Sequence, residues 1–409
     1  MRATCTALVT LLLSSPVLGA VPSFSLHQAT VKFVGEAIER LTTVVPSDPR
    51  CDDPVQLTIA ARGDKLGSVS RLLGLARSPS GAALIVVASR FKSSEEFRLI
   101  GLHLRSADDK EAEKLDFGPA SAGGVAAVAL GERAALVAQY FRGRIDYLSY
   151  ALQTGAVNSW STSSIGRPAI VNGQQGGFLV AWLESEGPGV SLKIQSLDAR
   201  GEMIGSAAVL DLGRRSASEL SLASNAKGRL FAFWTEPAVA KEPTGSRILN
   251  ACEASVELGA QTCRILEITR EGEAFRGRYS VACGASDCWA AWIDRAFRLR
   301  EVSADRRVVD EKSISIEFRG KDARLPAIAA SRGEVWALWN EISERGGWEL
   351  RGKLVSLREN RDLSIGGSGR PTDSPWFEVA GSATDALVTW LDEGTLRFEV
   401  LRSYERSPG

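Results

Sequence analysis

The stretch Gly177-Phe178-Leu179-Val180-Ala181-Trp182, followed by Leu183 and Glu184, returns in altered form along most of the chain. Each copy is a short apolar run that ends in an aromatic residue, with an acid two places on. Leu230-Phe231-Ala232-Phe233-Trp234 leads to Glu236, Trp289-Ala290-Ala291-Trp292 to Asp294, Val335-Trp336-Ala337-Leu338-Trp339 to Glu341, and Ala386-Leu387-Val388-Thr389-Trp390 to Asp392. Two earlier runs keep the apolar pattern and lose the tryptophan, placing Gln139 and Val87 at the anchor position. The anchors therefore fall at 87, 139, 182, 234, 292, 339 and 390. A period of about 50 residues marks a supersecondary unit that cannot cover its own faces and must stack on copies of itself.

Each anchor run is about six residues long, rich in β-branched and aromatic residues and bounded by turn signals, which reads as a buried strand. A second short strand precedes it, as in Pro168-Ala169-Ile170-Val171. An alternating strand follows, as in Val190 to Ile194, Phe297 to Val302 and Thr395 to Val400, and in places a fourth, such as Ala208-Val209-Leu210. Strands apolar on both faces within, and alternating strands outside, are the profile of a four-stranded antiparallel blade held between neighbours. The sequence thus predicts an all-β propeller of seven four-stranded blades over residues 70–403. After Phe398 the chain has too little left for another good strand, so the last blade lacks its outer member. A segment within Phe24 to Val34 is expected to supply it and close the ring.

At the front, Met1 to Ala20 reads as a signal peptide: Arg2 gives the positive start, Ala7 to Leu13 the apolar core, and Val17 to Ala20 small residues for cleavage. That run is too short to anchor in a bilayer, and no other stretch approaches twenty apolar residues. Residues 21–69 form an irregular N-terminal segment and 404–409 a tail. The expected location is extracytoplasmic, periplasmic or secreted. The chain holds 49 basic and 49 acidic residues, a balance that argues against nucleic acid as a partner. An oxidising compartment permits disulfides. Cys283 and Cys288 flank a turn between two strands and are expected to pair. Cys252 lies inside what reads as one long insertion, from Pro237 to Thr262, Cys263 follows it directly, and the two are expected to pair with each other, leaving Cys51 over. With only His27 and His103, and no Cys-x-x-Cys, a zinc site is not indicated. The tripeptide Arg62-Gly63-Asp64 is short enough to arise by chance.

Glu184, Glu236, Asp294, Glu341 and Asp392 share one position in the repeat and should gather on one face of the ring. Together they could hold a cation, calcium being the candidate, or a basic ligand. Against this, a residue repeated five times answers best to a repeated structural need, such as closing each blade's own turn. The tryptophans divide in the same way, between a sugar-binding surface and packing between blades, and burial of each run favours packing. Trp348, after Gly346-Gly347, reads as a loop residue exposed for contact. The insertion, with Glu236 and Trp348 near it, is the sequence's candidate binding site. No Gly-x-Ser-x-Gly elbow, Ser-His-Asp triad or phosphate loop is present, so no catalytic residue is assigned and no cofactor is expected.

The succession of turn, apolar run, Trp and acid resembles the β-propeller repeats of secreted bacterial proteins, in particular large, poorly characterised repeat proteins of myxobacteria. Val281 to Trp292 is similar to a cysteine-bearing form of that repeat. The resemblance covers residues 70–403 and implies architecture more than activity. Sialidase, Kelch and WD40 signatures are absent. The expectation is a monomeric binding or interaction module for an unknown protein or glycan. The alternative is a carbohydrate-active propeller enzyme, hydrolase or lyase, with a polar funnel at its centre and carboxylates of shifted pKa.

Overall fold

Apolar runs that are too short for helices and too greasy for the surface fold here as strands buried on both faces. The computed structural model describes residues 28–31, 56–58 and most of 68–402. The described residues contain no α-helix; strands form seven antiparallel sheets arranged as the blades of a ring. The inner strands are Ser68–Arg77, Val125–Leu130, Ala169–Asn172, Ser218–Ser224, Tyr279–Cys283, Ala323–Ala330 and Phe377–Gly381. Each touches the next, and the last touches the first, so the circle closes. All seven anchors fall on the second strand of their blade, for example Trp182 in Phe178–Glu186 and Trp234 in Leu230–Pro237.

The core is divided into seven clusters, one at each junction between neighbouring blades. Trp234 packs with Ala181, Leu183 and Leu192 of blade 3. Trp292 packs with Phe231 and Phe233 of blade 4, and Trp390 with Trp336 and Leu338 of blade 6. Trp234 and Trp292 are fully buried. The repeated tryptophans therefore fill the wedge between blades and leave none of the five as a sugar platform. No blade has a core of its own, which is why the period recurs without interruption.

The ring closes as the missing outer strand predicts. Gln28–Val31 pairs antiparallel with Thr395–Arg402, register Ala29 to Phe398, and makes the outer strand of blade 7. Gln56–Thr58 adds parallel to it as a fifth strand. The seam between the last and first blades is also held by Arg77 on Asp385 at 2.9 Å, with Arg77 buried. Residues 1–20 and Arg62-Gly63-Asp64 lie outside the described residues.

Two expectations are corrected. The long insertion is not one loop: Arg247–Ala254 within it is the third strand of blade 4, pairing with Leu230–Pro237 along its length. The loop between strands two and three is only 238–246. Trp348 is not a loop residue either. It opens the third strand of blade 6, Trp348–Ser356, and is half-buried. Gly346, at φ 86°, makes the tight turn just before it. Cys283 and Cys288 face each other across the first hairpin of blade 5 and form a disulfide. Cys252 lies on the third strand of blade 4 and is also disulfide-bonded; Cys263 is outside the described residues.

Candidate functional site

Every inner strand follows the same position in its blade, so all seven begin at one mouth of the central channel. The second strands end at that same face. The five repeated acids accordingly share one face, as the sequence indicates, but the four whose side chains are described are engaged at home. Glu236 accepts a hydrogen bond from Trp234 Nε1 at 2.9 Å, and Glu341 one from Trp339 Nε1 at 3.1 Å. Glu184 takes Lys193 Nζ at 2.5 Å and the Ser163 hydroxyl at 2.8 Å. Asp294 accepts the backbone N–H of Ala296 at 2.9 Å and the Arg298 guanidinium, closing its own hairpin. The Asp392 side chain lies outside what is described. Among the described residues no three His, Cys, Asp or Glu side chains gather as metal ligands. Glu236 and Trp348 belong to blades 4 and 6, with blade 5 between them.

What does converge is a set the sequence leaves unmarked. Arg71, Arg167 and Arg278, from blades 1, 3 and 5, line one cavity of about 340 Å³ at the axis, together with Trp376 and Glu378 from blade 7. Arg167, Arg278 and Trp376 sit just before an inner strand, Glu378 is second in its own, and Arg71 is fourth in its own. Trp376 is 40% exposed, and the Arg278 guanidinium lies 4.3 Å from its ring centroid. That cation–π contact holds the guanidinium against the ring. Arg324, at the start of blade 6, repeats the arrangement further out, 5.5 Å from the Trp348 ring. Below the mouth the lining turns apolar: Leu73, Leu75, Val128, Ile170 and Leu222.

The charges at the mouth are poorly compensated. Glu219 is tied to Arg247 by an ion pair within blade 4. Burial lowers the pKa of Arg278 to about 10, helped by the like charge of Arg167, while Glu378 and Glu219 work against the shift. Arg167 is lowered from the same first cause, with Arg71 and Arg247 adding repulsion. Glu378, half-buried and facing the channel, is pushed up to about 7 by burial although Arg278 and Arg167 oppose the shift. At neutral pH this carboxyl is about half ionised and cancels only part of the charge of the three arginines. Residues held at like charge and partly stripped of water are costly to the fold, and such clusters gather at functional sites.

The backbone is irregular at the same place. Glu219 and Leu325 have φ of 51° and 55°, and the inner strands of blades 1, 4 and 6 carry register shifts near their starts, at Val69/Arg71, Ser218/Ser221 and Arg324/Ala327. Bulges and left-handed non-glycine residues re-aim side chains and concentrate at binding sites. Tyr279 reaches across from blade 5 to fix this turn. Its hydroxyl lies against the Glu219 carbonyl and 3.0 Å from that of Phe233, and burial raises its pKa.

No protein-family model matches the sequence, nor does any curated protein. Solved structures do resemble the fold. The polysaccharide lyase Uly1 superimposes with a TM-score of 0.51 at 9% identity, over 93% of this chain and 100% of that one. The α-L-arabinofuranosidase Arb93A from Fusarium graminearum gives 0.47 at 8% identity, over 72% and 98%. The Dos1 propeller gives 0.46 at 12% identity, over 82% and 95%. Uly1 shares the architecture of this chain, and at 9% identity the likeness extends no further.

Proposed function

We propose that this chain is an exported, monomeric binding propeller that takes an anionic ligand at the mouth of its central channel. The observation that carries the reading is the convergence of Arg71, Arg167 and Arg278 on one axial cavity in whose lining Glu378 is the single carboxyl. Three blades each contribute one cation, and Arg278 is held against Trp376 of blade 7. The disulfide Cys283–Cys288 is compatible with an oxidising compartment, and no helix among the described residues is long and apolar enough to cross a membrane. The test is a thermal-shift series on the mature protein, pairing acidic with neutral sugars and adding calcium with and without chelator. A ligand that binds only the folded state raises the melting temperature. Acidic members should shift the wild type and leave Arg167→Ala unshifted. Equal shifts in both proteins would contradict the reading.

A second reading, an enzyme acting on an acidic carbohydrate, is favoured by one observation: Glu378, raised to about 7, lies beside the arginines in a polar mouth. A carboxyl poised near neutrality can give or take a proton. Incubation with acidic polysaccharides, read by new reducing ends and by ultraviolet absorbance of unsaturated products, tests it. Turnover that disappears in Glu378→Gln would support the enzyme, and binding without turnover would leave the binding module.

A further inference from the structure

The mouth and the throat of the channel differ in character, and the difference specifies a ligand. Arg71, Arg167 and Arg278 ring the entrance, while Leu73, Leu75, Val128, Ile170 and Leu222 line the wall beneath it. Leu73, Leu75, Val128 and Ile170 are only half-buried, so they are open to the channel. The throat offers few polar partners. The Ser280 hydroxyl already accepts the Ile328 N–H at 3.1 Å. A sugar ring pushed inward would leave hydroxyls without hydrogen bonds, at a cost of desolvation. An apolar group would lose nothing. A Cβ on Gly74 would fall 2.5 Å from Val128 Cγ2, so the inner strands of blades 1 and 2 are in close contact beside the throat. The cavity, about 340 Å³, stands at the small end of ligand pockets.

Resting on the proposed anion site, we infer that its ligand is a small apolar carboxylic acid, bound with its carboxylate among Arg71, Arg167 and Arg278 and its apolar part down the throat. The planar guanidinium of Arg278, held against Trp376, matches a carboxylate's two oxygens. Such a group can belong to a free acid or to the terminal carboxylate of a peptide that ends in an apolar residue. Both present the same chemistry to the site.

The experiment uses the full mature protein and calorimetric titration with hexanoate, hexanamide, acetate, galacturonate and N-acetyl-leucine. Hexanoate or N-acetyl-leucine should bind, hexanamide should not, and acetate should bind more weakly for want of an apolar part. Whichever of hexanoate and N-acetyl-leucine binds tighter identifies the source, free acid or chain end. Arg278→Ala should weaken binding by about tenfold or more, the value of a charge-assisted bond. Val128→Phe, which fills the throat and spares the arginines, should abolish hexanoate binding while sulfate still raises the melting temperature. Should that variant not fold, the ligand series on the unaltered protein decides alone. Arginine-dependent binding of galacturonate or sulfate with none of hexanoate would overturn this inference and leave the anion site standing. No arginine-dependent binding by any member would remove both.

Discussion

Replacing Glu236 by Ala separates the two roles its position could have. Trp234 is fully buried at the junction of blades 3 and 4, and its Nε1 donates to Glu236 Oε1 at 2.9 Å, with Glu236 only 7% exposed. Removing the carboxylate leaves a buried indole N–H without an acceptor. The loss is about 1–3 kcal/mol, the cost of a lost charge-assisted bond and an orphaned donor. Trp234→Phe alone gives up the indole's extra ring volume and takes this donor from the carboxylate. The double variant Trp234→Phe/Glu236→Ala removes both polar partners together, so its loss should fall short of the sum of the single losses by about 1 kcal/mol or more. Urea unfolding followed by far-ultraviolet circular dichroism measures all four proteins. At about 2.1 cal/mol/K per residue, a chain of this length moves its melting temperature by only about 1 °C per kcal/mol, so denaturant is the better probe. Strict additivity, or a Glu236→Ala protein as stable as the wild type, would refute the argument that this repeated acid serves its own blade.

Three further outcomes follow from the same structure. Glu378 holds its proton more tightly folded, at about 7, than its ordinary value of 4.5. The folded state therefore binds more protons between these values, and stability should fall as pH rises through that window; Glu378→Gln should flatten the slope in pH-dependent urea unfolding. Arg278→Met should leave the melting temperature unchanged or raise it, because burial and the charge of Arg167 disfavour the guanidinium, while anion binding is lost, the signature of a residue kept for function. Reducing Cys283–Cys288, or replacing both by Ser, should cost about 2 kcal/mol by the entropy of so short a closed loop, measured by denaturant unfolding with and without reductant.

The structural column of this repeat was legible because every blade asks the same thing of it. A buried second strand must end in a residue that fills the wedge to the preceding blade, and five of seven copies answer with Trp. The closing strand was legible from what the last blade lacked. The mouth was not. Its residues stand in a second column, about fifteen residues ahead of each anchor, occupied by Arg71, Arg167, Glu219, Arg278, Arg324 and Trp376. No common packing need makes these alike, so no recurrence marks them, and only closure of the ring brings them together. Trp348 misled for a local reason, since Gly346-Gly347 signals a turn without saying that the strand restarts at the next residue. The third strand of blade 4 was hidden by Asn250 and Cys252, which are both buried in it yet break an apolar pattern.

The claim that most needs a direct look is the arginine mouth. Crystals of the mature protein grown without sulfate or carboxylate, then soaked in sodium bromide, would show by anomalous scattering where anions settle. The account predicts a strong site at the channel axis among Arg71, Arg167 and Arg278, lost in Arg167→Ala/Arg278→Ala. Bromide scattered over the surface with none at that mouth would contradict it.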